Sequence, residues 1–226
     1  MINERFREIV EEIQQVIVKG RGVLDIVLPP LLFLLLLGWL GFDYAVGSAL
    51  LLAVGFVLLR FWQGRFRLAA LAGAAGVLAA MGLAQLLRQE TAFFVPGMVT
   101  GGLTVILAVV SVLAKRPLTA WSSHIARRWP RQWYWHPRVR PAYSETTWLW
   151  AGYFGVRLLL QMLFFRQDQV AELASVNFIL GWPGILLLLI VTYLYGSWRL
   201  RHLAGPSVVE FEQGAPPPWQ SQRRGF

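Results

Sequence analysis

The sequence predicts an all-α fold: a polytopic membrane helix bundle with six transmembrane helices and an N-terminal amphipathic interfacial helix. Six apolar stretches support this prediction, because each has about the 20 residues that an α-helix needs to cross a bilayer. Hydrophobic residues make up 56% of the chain and charged residues only 15%, whereas a soluble protein has about 25% charged residues. The stretches are residues 22–40, 42–61, 68–87, 91–114, 146–165 and 173–195.

The positive charge is sorted into alternate loops between these stretches. Of the 21 Lys and Arg residues, 18 fall on one side, two (Arg88 and Arg166) fall on the other, and Arg157 lies inside the fifth stretch. Loops rich in Lys and Arg stay in the cytoplasm. The sequence therefore predicts a multi-pass protein of the cytoplasmic, or inner, membrane with both termini in the cytoplasm.

Charge and cysteine usage narrow the function further. The net charge of +9 is better explained by membrane topology and attraction to anionic lipid headgroups than by binding to nucleic acid. The chain has no cysteine, which excludes disulfides, thiolate metal sites and thiol redox chemistry. The first apolar stretch is too long for a signal peptide, so we expect it to remain in the protein.

Residues 1–21 form the predicted amphipathic helix on the cytoplasmic side. Apolar residues such as Phe6, Ile9 and Ile13 recur at helical spacing between glutamates and arginines, which is typical of a helix with one apolar face. This face fits either the membrane surface or another part of the protein, and the sequence leaves both open.

The first and third stretches have features of their own. The first contains Asp25 and then Pro29 and Pro30, and the missing N–H groups of two prolines predict a kink. In the third, residues 68–87, small residues recur every four positions and allow close approach of helix backbones. Packing within one chain is the simpler interpretation, and a dimer interface is the alternative.

Two further stretches begin with a Pro-Gly pair on the predicted outer side. The fourth carries Pro96 and Gly97, and the sixth carries Pro183 and Gly184. We expect helix breaks at these pairs. Interrupted helices at corresponding positions of two repeats can mark the binding site of a transporter, although two such pairs could also coincide by chance.

The long connection at residues 115–145 is basic and rich in tryptophan. Trp and Tyr prefer the headgroup region, and basic clusters beside membrane spans bind anionic lipid. We therefore expect an interfacial segment against the inner leaflet. The predicted lipid-headgroup residues are Lys115, Arg116, Arg127, Arg128, Arg131, Arg138 and Arg140. Residues 199–226, which contain a proline run, are expected to be a disordered cytoplasmic tail.

The candidate intramembrane site is a polar stripe in the fifth stretch. Tyr153, Arg157 and Gln161 are spaced four residues apart, which places them on one helix face. An intramembrane Arg is costly and must face protein or water. Asn177, Asp25 and carbonyls freed near Gly184 are its candidate partners. Three interpretations stay open: a pin that holds helices together, a substrate, lipid-headgroup or anion site, and a proton or ion relay.

Enzyme chemistry finds little support in the sequence. No predicted span contains a histidine, which removes a haem held by two histidines and an intramembrane HExxH metal site. Neither G-x-S-x-G nor a phosphate-binding G-x-x-x-x-G-K-[ST] is present. We therefore predict no catalytic residue, no metal and no cofactor.

The pattern of residues resembles a known membrane family. The segment from His136-Pro137-Arg138 through Arg157, together with residues 22–29, 94–96 and 115–118, resembles the bacterial membrane family of domain of unknown function 3159. More distantly it is similar to the intracellular septation protein A group. The resemblance implies a multi-span protein without established activity, and it supplies no catalytic residues.

These observations predict a non-enzymatic envelope accessory or scaffold protein. The alternative is a small transporter or ligand-binding membrane subunit with a polar pocket around Arg157, of the kind found in the motor-coupled binding subunits of vitamin importers. The lipid bilayer is the expected partner. The basic loop or the small-residue face of the third stretch could also dock a membrane or cytoplasmic protein.

Overall fold

The computed structural model is helical and divides into two compact units. It describes residue 32 and residues 35–37, 39–62, 79–80, 82–83, 85–87, 89–222 and 225–226, and no strand occurs among them. The first unit consists of Met1–Phe93 and Asp168–Phe178, and the second of Phe94–Gln167 and Ile179–Phe226. Asp25, Pro29, Pro30 and the predicted N-terminal helix lie outside the described residues.

Eight α-helices and one 3₁₀ turn are labelled here in chain order within the described residues. Their bounds are α1 Phe42–Trp62, a 3₁₀ turn Glu90–Phe94, α2 Val95–Leu113, α3 Leu118–Arg127, α4 Arg131–Trp135, α5 Arg140–Arg166, α6 Val170–Ile179, α7 Trp182–His202 and α8 Val208–Glu212.

The first unit contains α1, the start of the 3₁₀ turn and most of α6. Its best-defined polar contact joins Thr91, which is fully buried, to Asp168: the threonine hydroxyl donates to the carboxylate at 2.8 Å. Phe42 and Phe93 meet edge to face with ring centroids 6.0 Å apart. The contact of Asp168 with Thr91 satisfies a hydroxyl that would otherwise be buried without a partner.

Helix α5 is the centre of the second unit. Helices α2, α3, α4 and α7 all pack against it, and α2 makes the most extensive contact. In α2 the hydroxyls of Thr100 and Thr104 donate to the carbonyls of Pro96 and Thr100, each at 2.8 Å. Such bonds to the preceding turn keep polar side chains satisfied in an apolar helix.

Within the part of the chain that the structure describes, three helical segments are long and apolar enough to cross a bilayer, which indicates a membrane protein. They are Glu90–Leu113, Arg140–Arg166 and Val170–His202. Leu107 on α2, Leu159 on α5 and Leu187 on α7 are between 59% and 68% exposed, as expected of side chains that face lipid. Helix α1 covers the second predicted stretch. The six-span count stays a prediction, because the first and third stretches lie largely outside the described residues.

The structure differs from the sequence-based expectation in the loop and the tail. Residues 115–145 fold into α3, α4 and the first turns of α5, so α5 begins six residues before the predicted span. The tail was expected to be disordered, yet α7 continues to His202 and α8 follows. A capping box between Ser207 and Glu210 starts α8, and Val208 is buried. Burial of apolar side chains against the loop explains the order of the tail.

Candidate functional site

The polar stripe lies on α5 and meets the break between α6 and α7. The Tyr153 hydroxyl donates to the carbonyl of Leu180 at 2.9 Å, in the two-residue gap after α6 ends at Ile179. Arg157 is half-buried one turn further along α5, and Gln161, two turns along, is only 2% exposed. The stripe therefore runs from the helix break into the packed interior of the second unit.

The absence of a side chain at Gly184 leaves space for the Tyr153 hydroxyl to reach the carbonyl of Leu180. A Cβ at that position would collide with the Tyr153 hydroxyl and lie 3.1 Å from the carbonyl oxygen of Ile179. Any larger residue would therefore displace the tyrosine from the helix break. Pro183 stands in the first turn of α7, where its missing N–H leaves no helical hydrogen bond unmade.

The remaining predicted residues of the stripe and the breaks lie elsewhere. Asn177 belongs to the first unit, where its side-chain amide donates to the carbonyl of Leu173 at 2.8 Å within α6. Pro96 and Gly97 lie in the first turn of α2, directly after the 3₁₀ turn. Among the described residues, no three His, Cys, Asp or Glu side chains are placed to hold a metal ion.

A second region of the unit has an aromatic core. We call it the aromatic cap; it comprises α3, α4, the first turns of α5 and the segment from Leu203 to Phe226. Trp133 and Tyr143 are completely buried and Tyr134 is 1% exposed, which is rare for side chains of this size. The buried core is Ala120, Trp133, Tyr134, Val139, Ala142, Tyr143, Leu200 and Val208.

The rings of the core meet edge to face, and Trp133 and Tyr134 make hydrogen bonds within the cap through their polar atoms, whereas the buried Tyr143 hydroxyl has no hydrogen-bond partner among the described residues. Tyr134 contacts Trp133 and Tyr143 with centroids 5.0 and 5.1 Å apart, the edge-to-face arrangement that aromatic rings prefer. The Trp133 indole N–H donates to the carbonyl of Pro206 at 2.8 Å. The Tyr134 hydroxyl lies 3.1 Å from the Ser123 hydroxyl, and burial raises the pKa of Tyr134.

Hydroxyl groups join the cap to the membrane-spanning part of α5. The Thr119 hydroxyl donates to the carbonyl of Tyr143 at 2.7 Å and lies 3.0 and 2.8 Å from the hydroxyls of Thr146 and Thr147. Both of these threonines are fully buried. Helix α3 is therefore fastened to α5 where the predicted span begins.

An ion pair fixes α7 against α5 at the same level. The Arg199 guanidinium donates from Nε and Nη2 to the two carboxylate oxygens of Glu145 at 2.7 and 2.8 Å. The Tyr195 hydroxyl donates to the same carboxylate at 2.8 Å. This bidentate ion pair fixes the register of α7 relative to α5. No local sequence pattern links these residues, since 54 positions separate Glu145 from Arg199.

The end of the described chain is seated in the cap. The Phe226 ring stacks on Tyr143 with centroids 4.5 Å apart and planes at 9°, and its carbonyl accepts from Arg127 Nε at 3.1 Å. A Cβ at Gly196 would collide with this ring. The absence of a side chain at Gly196 on α7 therefore leaves the space that the Phe226 ring occupies.

Each of the four cap tryptophans outside the buried core lies under an arginine. Arg116 lies over Trp135, Arg131 over Trp121, Arg127 over Trp129 and Arg138 over Trp219, with distances of 5.2 to 5.8 Å from Cζ to the ring centroid. These are cation–π distances.

The seven predicted lipid-headgroup residues separate into different environments. Arg127 contacts Phe226, as described above, and Arg138 donates to the carbonyl of Ala204 at 3.4 Å, so these two arginines hold the tail. Arg140 is half-buried at the start of α5. The exposed members without a contact to the tail are Lys115, Arg116, Arg128 and Arg131.

His136 joins the loop to the tail. Its ring meets Trp219 edge to face with centroids 5.3 Å apart, and its Nδ1 accepts from the backbone N–H of Arg138 at 3.3 Å. Partial burial, and to a lesser extent the charge of Arg138, lower the pKa of His136. The neutral ring is therefore the form that fits this contact.

Comparison with known proteins identifies one family. A family described as "Protein of unknown function (DUF3159)" matches residues 20–200 of the chain. No curated protein and no solved structure matches it. The matched range includes the polar stripe and the loop part of the cap, and it ends before α8.

Proposed function

The chain belongs to the DUF3159 family, and we propose that it is a non-enzymatic accessory or scaffold protein of the bacterial inner membrane. The aromatic cap is the observation that supports this proposal. The buried core formed by Trp133, Tyr134 and Tyr143 makes the cap a fixed body on α5, and a surface held rigid before binding loses little entropy when a partner docks.

The charge distribution supports a cytoplasmic location of the cap. All seven basic residues of the loop lie on the side that carries 18 of the 21 Lys and Arg residues. The cap would then present its surface to cytoplasmic proteins while α2, α5 and α7 hold it at the membrane. The resemblance to the intracellular septation protein A group, inferred from the sequence alone, favours an accessory role of this kind.

Site-specific photo-crosslinking tests the scaffold proposal. A photoreactive phenylalanine at Val209, which is 60% exposed on α8, is compared with one at Leu159, which is 68% exposed on α5. In cells that naturally express the protein, we expect one discrete protein adduct from position 209 and none from position 159. Absence of any adduct from position 209, and also from Glu212 and Arg138, would contradict a scaffold that acts through its cap.

The alternative function is a small transporter or ligand-binding subunit. It is favoured by one observation: the polar stripe of Tyr153, Arg157 and Gln161 meets a broken helix at Leu180. Broken helices beside polar side chains line the substrate sites of membrane transporters.

Cysteine accessibility separates the two functions, because the chain has no cysteine of its own. Arg157→Cys is treated with a charged, membrane-impermeant thiol reagent, and Leu159→Cys is the lipid-facing control. Rapid modification at 157 alone would establish a water-filled pocket and support transport. Equal protection of both positions, with full modification after unfolding, is expected for a scaffold whose Arg157 is a structural pin.

A further inference from the structure

Two arginines and two tryptophans form a continuous row on the outer face of the cap. Arg116 lies over Trp135 at 5.8 Å, Trp135 and Trp121 have centroids 5.8 Å apart, and Arg131 lies over Trp121 at 5.6 Å. We call this row the Arg–Trp ladder. It places a guanidinium at each end of a floor made of two indole rings.

The arginines of the ladder are held in place, yet their charges are not neutralised. Both side chains are exposed, and neither pairs with a carboxylate among the residues that the structure describes. Arg131 is further fixed by donating from Nε to His124 Nε2 at 3.1 Å. An arginine that rests on a ring still has N–H donors at its edge, in the geometry that suits phosphate.

The ladder lies beside the predicted membrane boundary. Arg116 comes three residues after Leu113, which ends the α2 span, and α3 begins two residues later. Tryptophan and arginine at the end of a spanning helix lie at the depth of the lipid headgroups.

An apolar path leads from the ladder along α2. Leu113 is 71% exposed, and Val110, one turn earlier, is 54% exposed. On α3, Leu118 and Ile125 also point outward, with 37% and 74% of their surfaces exposed. This surface therefore matches an amphipathic molecule: the arginines of the ladder suit an anionic headgroup, and the exposed side chains of α2 and α3 suit apolar chains.

We propose that the Arg–Trp ladder binds the phosphate headgroup of an anionic phospholipid of the inner leaflet, whose acyl chains lie along α2. A guanidinium of the ladder donates to the phosphate, the second arginine adds positive charge beside it, and the indoles of Trp121 and Trp135 support the headgroup. This site is independent of what the cap docks, and it would fix the orientation of the cap on the membrane surface.

Native mass spectrometry of the full chain in mild detergent tests the proposal. Phosphatidylglycerol is titrated against the protein, with phosphatidylcholine as the zwitterionic comparison. Each basic residue near an anionic membrane contributes about fivefold in affinity. We therefore expect Arg116→Gln with Arg131→Gln to weaken phosphatidylglycerol binding about 25-fold and to leave phosphatidylcholine binding unchanged.

Two controls separate the ladder from general charge. Arg166→Gln with Arg201→Gln removes the same net charge at positions outside the ladder and outside the predicted lipid-headgroup residues, and it should keep nearly full affinity. Trp121→Leu retains every charge but removes the ring beneath Arg131, and it should lose about two- to fivefold in phosphatidylglycerol affinity. All three proteins are compared by circular dichroism and size-exclusion chromatography, so that loss of folding is recognised.

Three results would overturn the proposal. Equal loss of phosphatidylglycerol affinity in the ladder and control variants would indicate diffuse electrostatic attraction. Unchanged affinity in the ladder variant would show that the lipid binds elsewhere. Competition by glycerol phosphate at concentrations similar to those of the lipid would show a site for a soluble phosphate rather than for a phospholipid.

Discussion

The aromatic cap and the membrane-spanning helices use apolar side chains in opposite ways. In the cap, the large rings of Trp133 and Tyr143 are completely buried, as expected where burial of apolar surface drives folding. Along the spans, Leu159 and Leu187 are 68% and 63% exposed, because lipid is as apolar as leucine and nothing favours their burial. The spans must instead be held together by polar and close backbone contacts.

The two regions therefore depend on different kinds of contact. The cap is held by packing between residues far apart in sequence, such as Trp133 and Pro206, which are 73 positions apart. The stripe depends on the hydrogen bond of Tyr153 to the freed carbonyl of Leu180 and on the space at Gly184. Disruption of one region should leave the other largely intact, and the following variants test this independence.

Trp133→Ala should have the largest effect. Truncation of a buried tryptophan costs about 3–5 kcal/mol, and this one also leaves the Pro206 carbonyl without its donor. We expect residues 115–140 and 203–222 to become sensitive to protease in detergent while α2 and the rest of α5 stay protected. Trp148→Ala, at a position 47% exposed on α5, is the control with little expected effect. Simultaneous loss of the spans would show one cooperative unit instead of two regions.

Gly184→Ala should have the next largest effect, and it acts on the stripe. The added Cβ collides with the Tyr153 hydroxyl, and overpacking of this kind costs about 1–3 kcal/mol. Thermal unfolding in detergent should show a lower midpoint, without increased proteolysis of the cap. Gly152→Ala, which has open space at its Cβ position on α5, should be neutral or slightly stabilising.

A second substitution tests whether the collision with Tyr153 causes the loss of stability in Gly184→Ala. Tyr153→Phe removes the hydroxyl that the new Cβ would strike, so in the Gly184→Ala background it should restore part of the stability. The double variant is then less destabilised than the sum of the single variants. Strict additivity would show that the collision with Tyr153 is not what makes Gly184→Ala destabilising.

The sequence could predict the part of the site that depends on local spacing. Tyr153, Arg157 and Gln161 were placed on one helix face by their four-residue period, and they lie on α5. The Pro-Gly pair predicts a break at Pro183 and Gly184, but both residues lie in the first turn of α7, and the gap between the helices comes just before them, at residues 180–181. The all-helical class and the membrane-spanning character follow from composition and from the length of the apolar stretches.

The cap could not be predicted, because its contacts join distant residues. The charged residues around Glu145 were interpreted as loop, since nothing nearby shows that Arg199 completes the ion pair 54 residues later. The tail was expected to be disordered because prolines and polar residues dominate it. Its few apolar side chains, including Val208 and Phe226, pack against partners in the loop and on α7.

Gly196→Ala should affect the cap less than Trp133→Ala. The new Cβ would displace the Phe226 ring from Tyr143, and an aromatic pair contributes about 0.5–1.5 kcal/mol beyond its buried area. We expect faster proteolysis of the tail with little change in the core. Phe226→Ala should make the tail sensitive to protease to a similar extent. The double variant should be no more sensitive than either single variant. Gly155→Ala, with open space at its Cβ position, is the control.

Acidification should have the smallest effect and should act on the contact between the loop and the tail. The pKa of His136 in the folded protein is below its ordinary value of 6.5, so the unfolded chain binds more protons near and below that pH. The stability that His136 contributes is therefore complete above pH 6.5 and is lost as the pH falls from there through the folded pKa. Protonation of Nδ1 would also remove the acceptor for the Arg138 N–H.

The measurement is the protease sensitivity of the tail between pH 5 and 7.5, compared with that of His136→Asn. Asparagine offers an oxygen acceptor near the place of Nδ1 and does not titrate in this range, so the variant should lose most of the pH dependence. Arg157→Gln, a stripe variant, should keep the pH dependence of the wild type, since the stripe and the cap are held by separate contacts. An unchanged pH profile in His136→Asn would assign the acid sensitivity to another group and leave His136 as a packing residue only.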